Sequence, residues 1–272
     1  MHALLIAGLF SFFQPEPPKP VLQTPQWKEV KSAPLQVKKA GNYDYAGKIH
    51  VVGKIPKVVK EYGTPALHVF VTDVTVKNFA WRGSMESLHV GSRPFTGPEM
   101  RKRHQPIQVT LDNLFCDDIG EDAIGIQPRA IVTMKNSQFR GNYGIKKGEG
   151  ENPGLDKIVQ IDGATVTIEN CTFFNGLSPI RAKANSVVYI KNCKFVNCST
   201  CVSGDGLDTP RGRKPYDNGK AGPCKIFVEN CECWDCNEFA RAFEGCVIEL
   251  KNIKMHDTWR LKRLSGGKVI VK

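Results

Sequence analysis

Acidic residues crowd one short run, Cys116-Asp-Asp-Ile-Gly-Glu121-Asp122-Ala-Ile124, in which Glu121 and Asp122 stand side by side. Neighbours on a strand point to opposite faces, but at a corner both can turn toward one hard cation, which takes oxygen ligands. Downstream lie Asp156-Lys157-Ile-Val-Gln160 and then Arg181, within Phe174-Asn-Gly-Leu-Ser-Pro-Ile-Arg181. Carboxylates able to hold a cation, next to Lys and Arg, suit a ligand that is itself an anion. Taken singly, each of these charges reads as a solvated surface group. Concentrated on consecutive repeats beside a long insertion, they point to a site.

The elements that must position them form an internal repeat. Val74-Thr-Val-Lys-Asn78, Val109-Thr-Leu-Asp-Asn113, Val132-Thr-Met-Lys-Asn136 and Val166-Thr-Ile-Glu-Asn170 are four copies. Val188-Tyr-Ile-Lys-Asn192, Ile226-Phe-Val-Glu-Asn230 and Ile248-Glu-Leu-Lys-Asn252 are three more. Three residues after each Asn comes a large or soft apolar residue: Trp81, Cys116, Phe139, Phe173, Phe195, Cys233 and Met255. The asparagines are 35, 23, 34, 22, 38 and 22 residues apart, a period of about 22 with insertions in alternate intervals. The insertions, near 91–105, 143–155 and 205–222, are rich in Gly, Pro and charge, as surface loops are.

Apolar alternation with period two and β-branched residues make each copy a strand with one face inward. A 22-residue coil with such a strand and a fixed Asn predicts an all-β protein, a right-handed parallel β-helix of about seven or more rungs, with loops on alternate rungs. The register predicts that Val166, Ile168, Asn170 and Phe173 are buried, and that Thr167 and Glu169 face outward. It sets Glu121, Asp156 and Arg181 on neighbouring levels of one face, at 15, 14 and 11 residues before Asn136, Asn170 and Asn192.

A charged content of 24% with 41% hydrophobic residues excludes a disordered chain. The net charge of +11 calls for a polyanion or serves solubility. Zinc-finger spacing, a helix-turn-helix pattern and an RNA-binding aromatic strand are missing, so an acidic polysaccharide is expected and nucleic acid is not. The apolar run from Ala3 to Phe13 is too short to span a bilayer and is like the core of a secretory signal. A secreted or extracellular location is expected, with a virion or cell surface as the alternative. Residues 1–26 read as a hydrophobic segment and Pro-rich, stiffly extended linker, and 27–272 as the β-helix domain.

Among the ten cysteines, Cys171, Cys193 and Cys231 follow the repeat Asn directly, and Cys198 and Cys236 lie six residues after it. They read as small apolar side chains stacked inside the coil, with parallel Cβ vectors ill suited to disulfides. The run Cys231-Glu-Cys233-Trp-Asp-Cys236 suggests zinc, but no compact C-x-x-C pair is expected to face another. Asn170-Cys-Thr172 and Asn197-Cys-Ser199 match glycosylation sequons, and burial of Asn170 would make that match accidental.

Over about residues 60 to 260 the chain resembles the polysaccharide lyase family three pectate lyases. Ile119-Gly-Glu-Asp-Ala-Ile124 is similar to that family's valine-glycine-glutamate-aspartate-alanine-leucine motif, and Asp156-Lys-Ile-Val-Gln160 to its aspartate-lysine-valine-phenylalanine-glutamine motif. Arg181 stands where the family carries an arginine. The resemblance implies calcium as cofactor, with Glu121, Asp122 and Asp156 as its ligands, and a polygalacturonate-like substrate. It implies that Lys157 contacts the uronate and that Arg181 lies close to the proton abstracted in a β-elimination. Ser178 replaces the family's lysine, and Lys183 can supply the missing charge. The aspartate one rung before the paired acids has no counterpart in Met100-Arg-Lys-Arg-His104. The alternative is a silent β-helix that binds polysaccharide or serves as an attachment shaft, and a glycoside hydrolase is a third reading.

Overall fold

The computed structural model describes residues 17–51, 66–91, 106–141, 157–205, 222–243 and 245–272, without the side chains of 84–87, 118–121 and 265. The three insertions lie outside the described residues, apart from their edges. The chain is an all-β, right-handed parallel β-helix. Its strands form three faces, and among the described residues each face stacks nine strand segments in parallel.

Face A holds the repeat strands, running from Gly41–Asp44 through Val74–Lys77, Ile107–Asp112, Ala130–Lys135, Thr165–Glu169 and Val187–Lys191. It continues through the first halves of Lys225–Trp234 and Val247–His256 to Lys268–Val271. The outermost two strands are additions to the seven copies legible in the repeat. Face B begins at Lys28–Lys31 and includes Gln138–Gly141, Thr172–Phe174 and Lys194–Val196. Face C begins at Leu35–Val37 and includes Lys157–Asp162, Ile180–Lys183, Thr200–Gly204 and Glu238–Phe243. Ala80–Val90 and Phe115–Ile126 bend from face B into face C.

Alternation fills the coil as expected. Val166, Ile168 and Phe173 are fully buried, as are their counterparts Val188, Ile190 and Phe195, while Thr167 and Glu169 lie on the outward side of the strand. The residues three after each Asn form an internal column. Phe139, Phe173 and Phe195 stack with centroids 5.5 and 5.3 Å apart and nearly parallel planes. Parallel strands in register impose this like-on-like stacking.

Asn170 is exposed, not buried. The repeat asparagine serves the backbone: Asn78, Asn113, Asn136, Asn170, Asn192, Asn230 and Asn252 all have φ between 52° and 55°. Asn tolerates this left-handed corner better than other residues with a side chain. The amides do form an outer ladder, with Asn113 Nδ2 donating to Asn78 Oδ1 at 2.6 Å and Asn252 Nδ2 to Asn230 Oδ1 at 3.0 Å. Asn175, Asn197, Asp235 and Asp257 make a second left-handed corner between faces B and C. Burial is therefore no argument against the sequons. Their asparagine amides instead donate to the ladder neighbours Asn136 and Asn175.

The Pro-rich segment runs lengthwise along the outside of face B. Lys19 pairs with Asp235, the Gln23 amide donates to Gln138 Oε1 at 2.9 Å, and Trp27 packs near Ile49, Ala80 and Phe115. Leu22 also meets the outer cluster Phe174, Val196 and Trp234. No helix among the described residues is long and apolar enough to cross a membrane.

Candidate functional site

Of the charged residues singled out in the sequence, face C carries Asp122, Lys157, Arg181 and Lys183. Strand pairing sets Asp122 beside Lys157, Gln160 beside Arg181, and Asp162 beside Lys183. The bend of Phe115–Ile126 from one face into the next is what brings Asp122 onto this surface. Asp117, in the same acidic run, stays on face B, where Arg140 grips it at 2.6 and 2.8 Å and Arg82 at 3.3 Å.

Asp122 and Lys157 are nearly buried, at 5% and 8% exposure, with Nζ 3.9 Å from Oδ1. Lys157 Nζ donates to Gln160 Oε1 at 2.9 Å, and Lys183 Nζ donates to the same oxygen at 3.3 Å. Gln160 Nε2 in turn donates to Asp162 Oδ2 at 3.2 Å. One amide thus holds two lysines close together. Burial pushes the Lys183 ammonium below the ordinary lysine range, helped by the charges of Lys157 and Arg181 and opposed by Asp162 and Asp205. Burial likewise raises Asp162, against the pull of Lys183, Gln160, Lys157 and Arg181.

Arg181 donates from Nε to Asp205 Oδ2 at 2.8 Å and through a second nitrogen to the same oxygen. This pairing fixes the guanidinium in place. Ser178 bonds to Ser203 at 2.7 Å, so its hydroxyl is tied into the neighbouring coil. The backbone of Glu121 lies in the Phe115–Ile126 strand, but its side chain and the whole of Asp156 lie outside the described residues.

The register also supplies a carboxylate missing from the sequence analysis. Glu86 pairs directly with Asp122, one coil earlier. Counting back from Asn113 hides it behind the insertion; counting forward, Glu86 is eight residues after Asn78, just as Glu121 is eight after Asn113. Adjacent parallel strands lie about 4.8 Å apart, so the register sets Glu86 and Asp122 on neighbouring levels of the same face. Carboxylate oxygens are hard donors of the kind that calcium takes.

A family model described as a right handed beta helix region matches residues 122–261. No curated protein matches the chain.

Proposed function

The chain belongs to the right-handed β-helix family and has a pectin lyase-like architecture, and on that premise we propose that it is a pectate lyase-like polysaccharide lyase cleaving an acidic polyuronate by β-elimination. The supporting observation is the convergence of Lys157 and Lys183 on one Gln160 oxygen, beside Asp122. Asp122 and Glu86, with Glu121, are the carboxylates that would hold calcium; the ion, when bound, would draw charge from the uronate carboxylate and acidify the adjacent C5 proton. Lys157 binds that carboxylate as a nearly buried cation. Lys183, with its lowered proton affinity, accepts the C5 proton, and Arg181, anchored by Asp205, is the fixed positive charge that stabilises the developing carbanion. Such a substrate is extracellular and fits an exported protein.

The test is absorbance of the unsaturated uronide on mixing the full chain with polygalacturonate and calcium. Product formation is expected, lost in Lys183→Ala. Glu86→Gln is expected to raise the calcium requirement at least tenfold. Wild-type protein that binds polyuronate with strong salt dependence yet forms no unsaturated product would refute the lyase.

A further inference from the structure

The interior holds two kinds of cysteine arrangement. Cys171, Cys193 and Cys231 form a single column, one per coil, and each thiol donates to the carbonyl two residues earlier, at 3.2–3.3 Å. That is a packing ladder, as the sequence predicts. The other arrangement contradicts the expectation that no C-x-x-C pairs face each other. Cys198-Ser-Thr-Cys201 and Cys233-Trp-Asp-Cys236 lie on adjacent coils, held together by the pairing of Phe195 with Cys233 and of Thr200 with Glu238. The sulfurs of Cys201, Cys233 and Cys236 all lie within 4.8 Å of one another. Cys198 stacks on Cys236 as Cys193 does on Cys231, its amide donating to Cys236 Sγ at 3.4 Å, and both thiols also donate to the carbonyl two residues earlier.

We propose that Cys201, Cys233 and Cys236, with Cys198 as the fourth donor, bind a zinc ion that ties these two coils together. Tetrahedral thiolate zinc has Zn–S bonds of about 2.3 Å, which set its sulfurs about 3.8 Å apart. The three sulfurs within 4.8 Å of one another already stand close to that spacing. All four cysteines are buried, at 0–2% exposure, so the site is closed, as structural zinc sites are. Polar groups stand behind the sulfurs: the Cys198 amide at Cys236, and Thr258 Oγ1 3.4 Å from Cys233 Sγ.

Disulfide formation is the competing fate, and Cys224–Cys246 shows that this interior accommodates one. Both of those residues sit just outside a strand. Gly204 lies directly over that bond, and a Cβ there would meet both sulfurs at 2.9 Å.

The test uses the full reduced chain titrated with Co²⁺ and then Zn²⁺, with metal content measured by mass spectrometry. One equivalent of Co²⁺ giving thiolate charge-transfer absorption, displaced by Zn²⁺, is expected. Cys236→Thr should weaken uptake at least a hundredfold while circular dichroism stays unchanged, because the next coil already carries Thr258 at this position. Cys201→Ser is a second variant with the same expected loss, and Cys171→Ser, in the packing ladder, should bind like wild type. A folded, reduced wild type without the thiolate band would overturn the proposal. So would a band surviving both cluster variants, or peptide mapping of unreduced protein that finds any of the three sulfurs in a disulfide.

Discussion

Replacing Asn170 by Ala and by Gly separates the two things a corner asparagine could do. Its φ is +55°, and its amide contacts to Asn136 and from Asn192 are both 3.4 Å long, beyond the usual N–H···O range and exposed to water. The ladder at this level therefore contributes little. An alanine held in the left-handed region costs about 1–2 kcal/mol. Glycine adopts it freely, but loosens the unfolded chain by about 0.4–1 kcal/mol. Asn170→Ala is expected to destabilise by about 1–2 kcal/mol, and Asn170→Gly by less than about 1 kcal/mol. At Asn113, whose contact to Asn78 is 2.6 Å, Ala and Gly both also forfeit a hydrogen bond worth about 1 kcal/mol. Both variants should cost about that much more there, with the gap between Ala and Gly unchanged. Urea midpoints at constant m-value measure all four variants. Asn170→Gly proving as costly as Asn170→Ala would refute the backbone argument and return the stabilisation to the ladder.

Phe173→Ala removes the middle ring of the Phe139–Phe173–Phe195 column and should cost about 3–5 kcal/mol in the same assay, since rings locked on both sides cannot collapse into the gap. Because the folded-state affinity of Lys183 for its proton is lowered, kcat/KM should rise with pH and level off below the ordinary lysine range. The sign is the same for stability: between the folded and unfolded pKa values the unfolded chain binds the extra proton, so wild type gains stability over Lys183→Met as pH rises there. A rate that falls with pH would remove Lys183 as the proton acceptor.

The fold was legible because strand register repeats its demands. Val166 and Ile168 could be assigned to the interior from alternation alone, and Phe173 from its fixed distance to Asn170. The reason for Asn170 was not legible in the same way: one residue type serves both a buried ladder and a left-handed corner, and only φ separates them. Glu86 was missed because the insertion after Gly91 separates it from the Asn that anchored the count. The cysteine cluster is not legible as a motif, because Cys198 and Cys201 make only half of it. Their partners Cys233 and Cys236 lie one coil and one insertion further on, and facing across coils is a property of the stack. At the site, Lys157 and Asp122 lie on adjacent strands, whereas the Arg181–Asp205 pairing depends on a residue at the edge of an insertion.

A stack of coils in which each touches only the next behaves like a one-dimensional chain, free to melt from either end one link at a time. The segment lying along face B alters that statistics. Its contacts run from the cluster of Ile49, Ala80 and Phe115, past Gln138, to Asp235, so it joins coils that are not neighbours. Fraying at the Asp235 end then releases contacts that also hold the segment against the middle of the shaft. Such long-range links turn zipper-like unravelling into a more concerted transition, and shearing the segment away would leave an apolar seam along the shaft open to a second molecule.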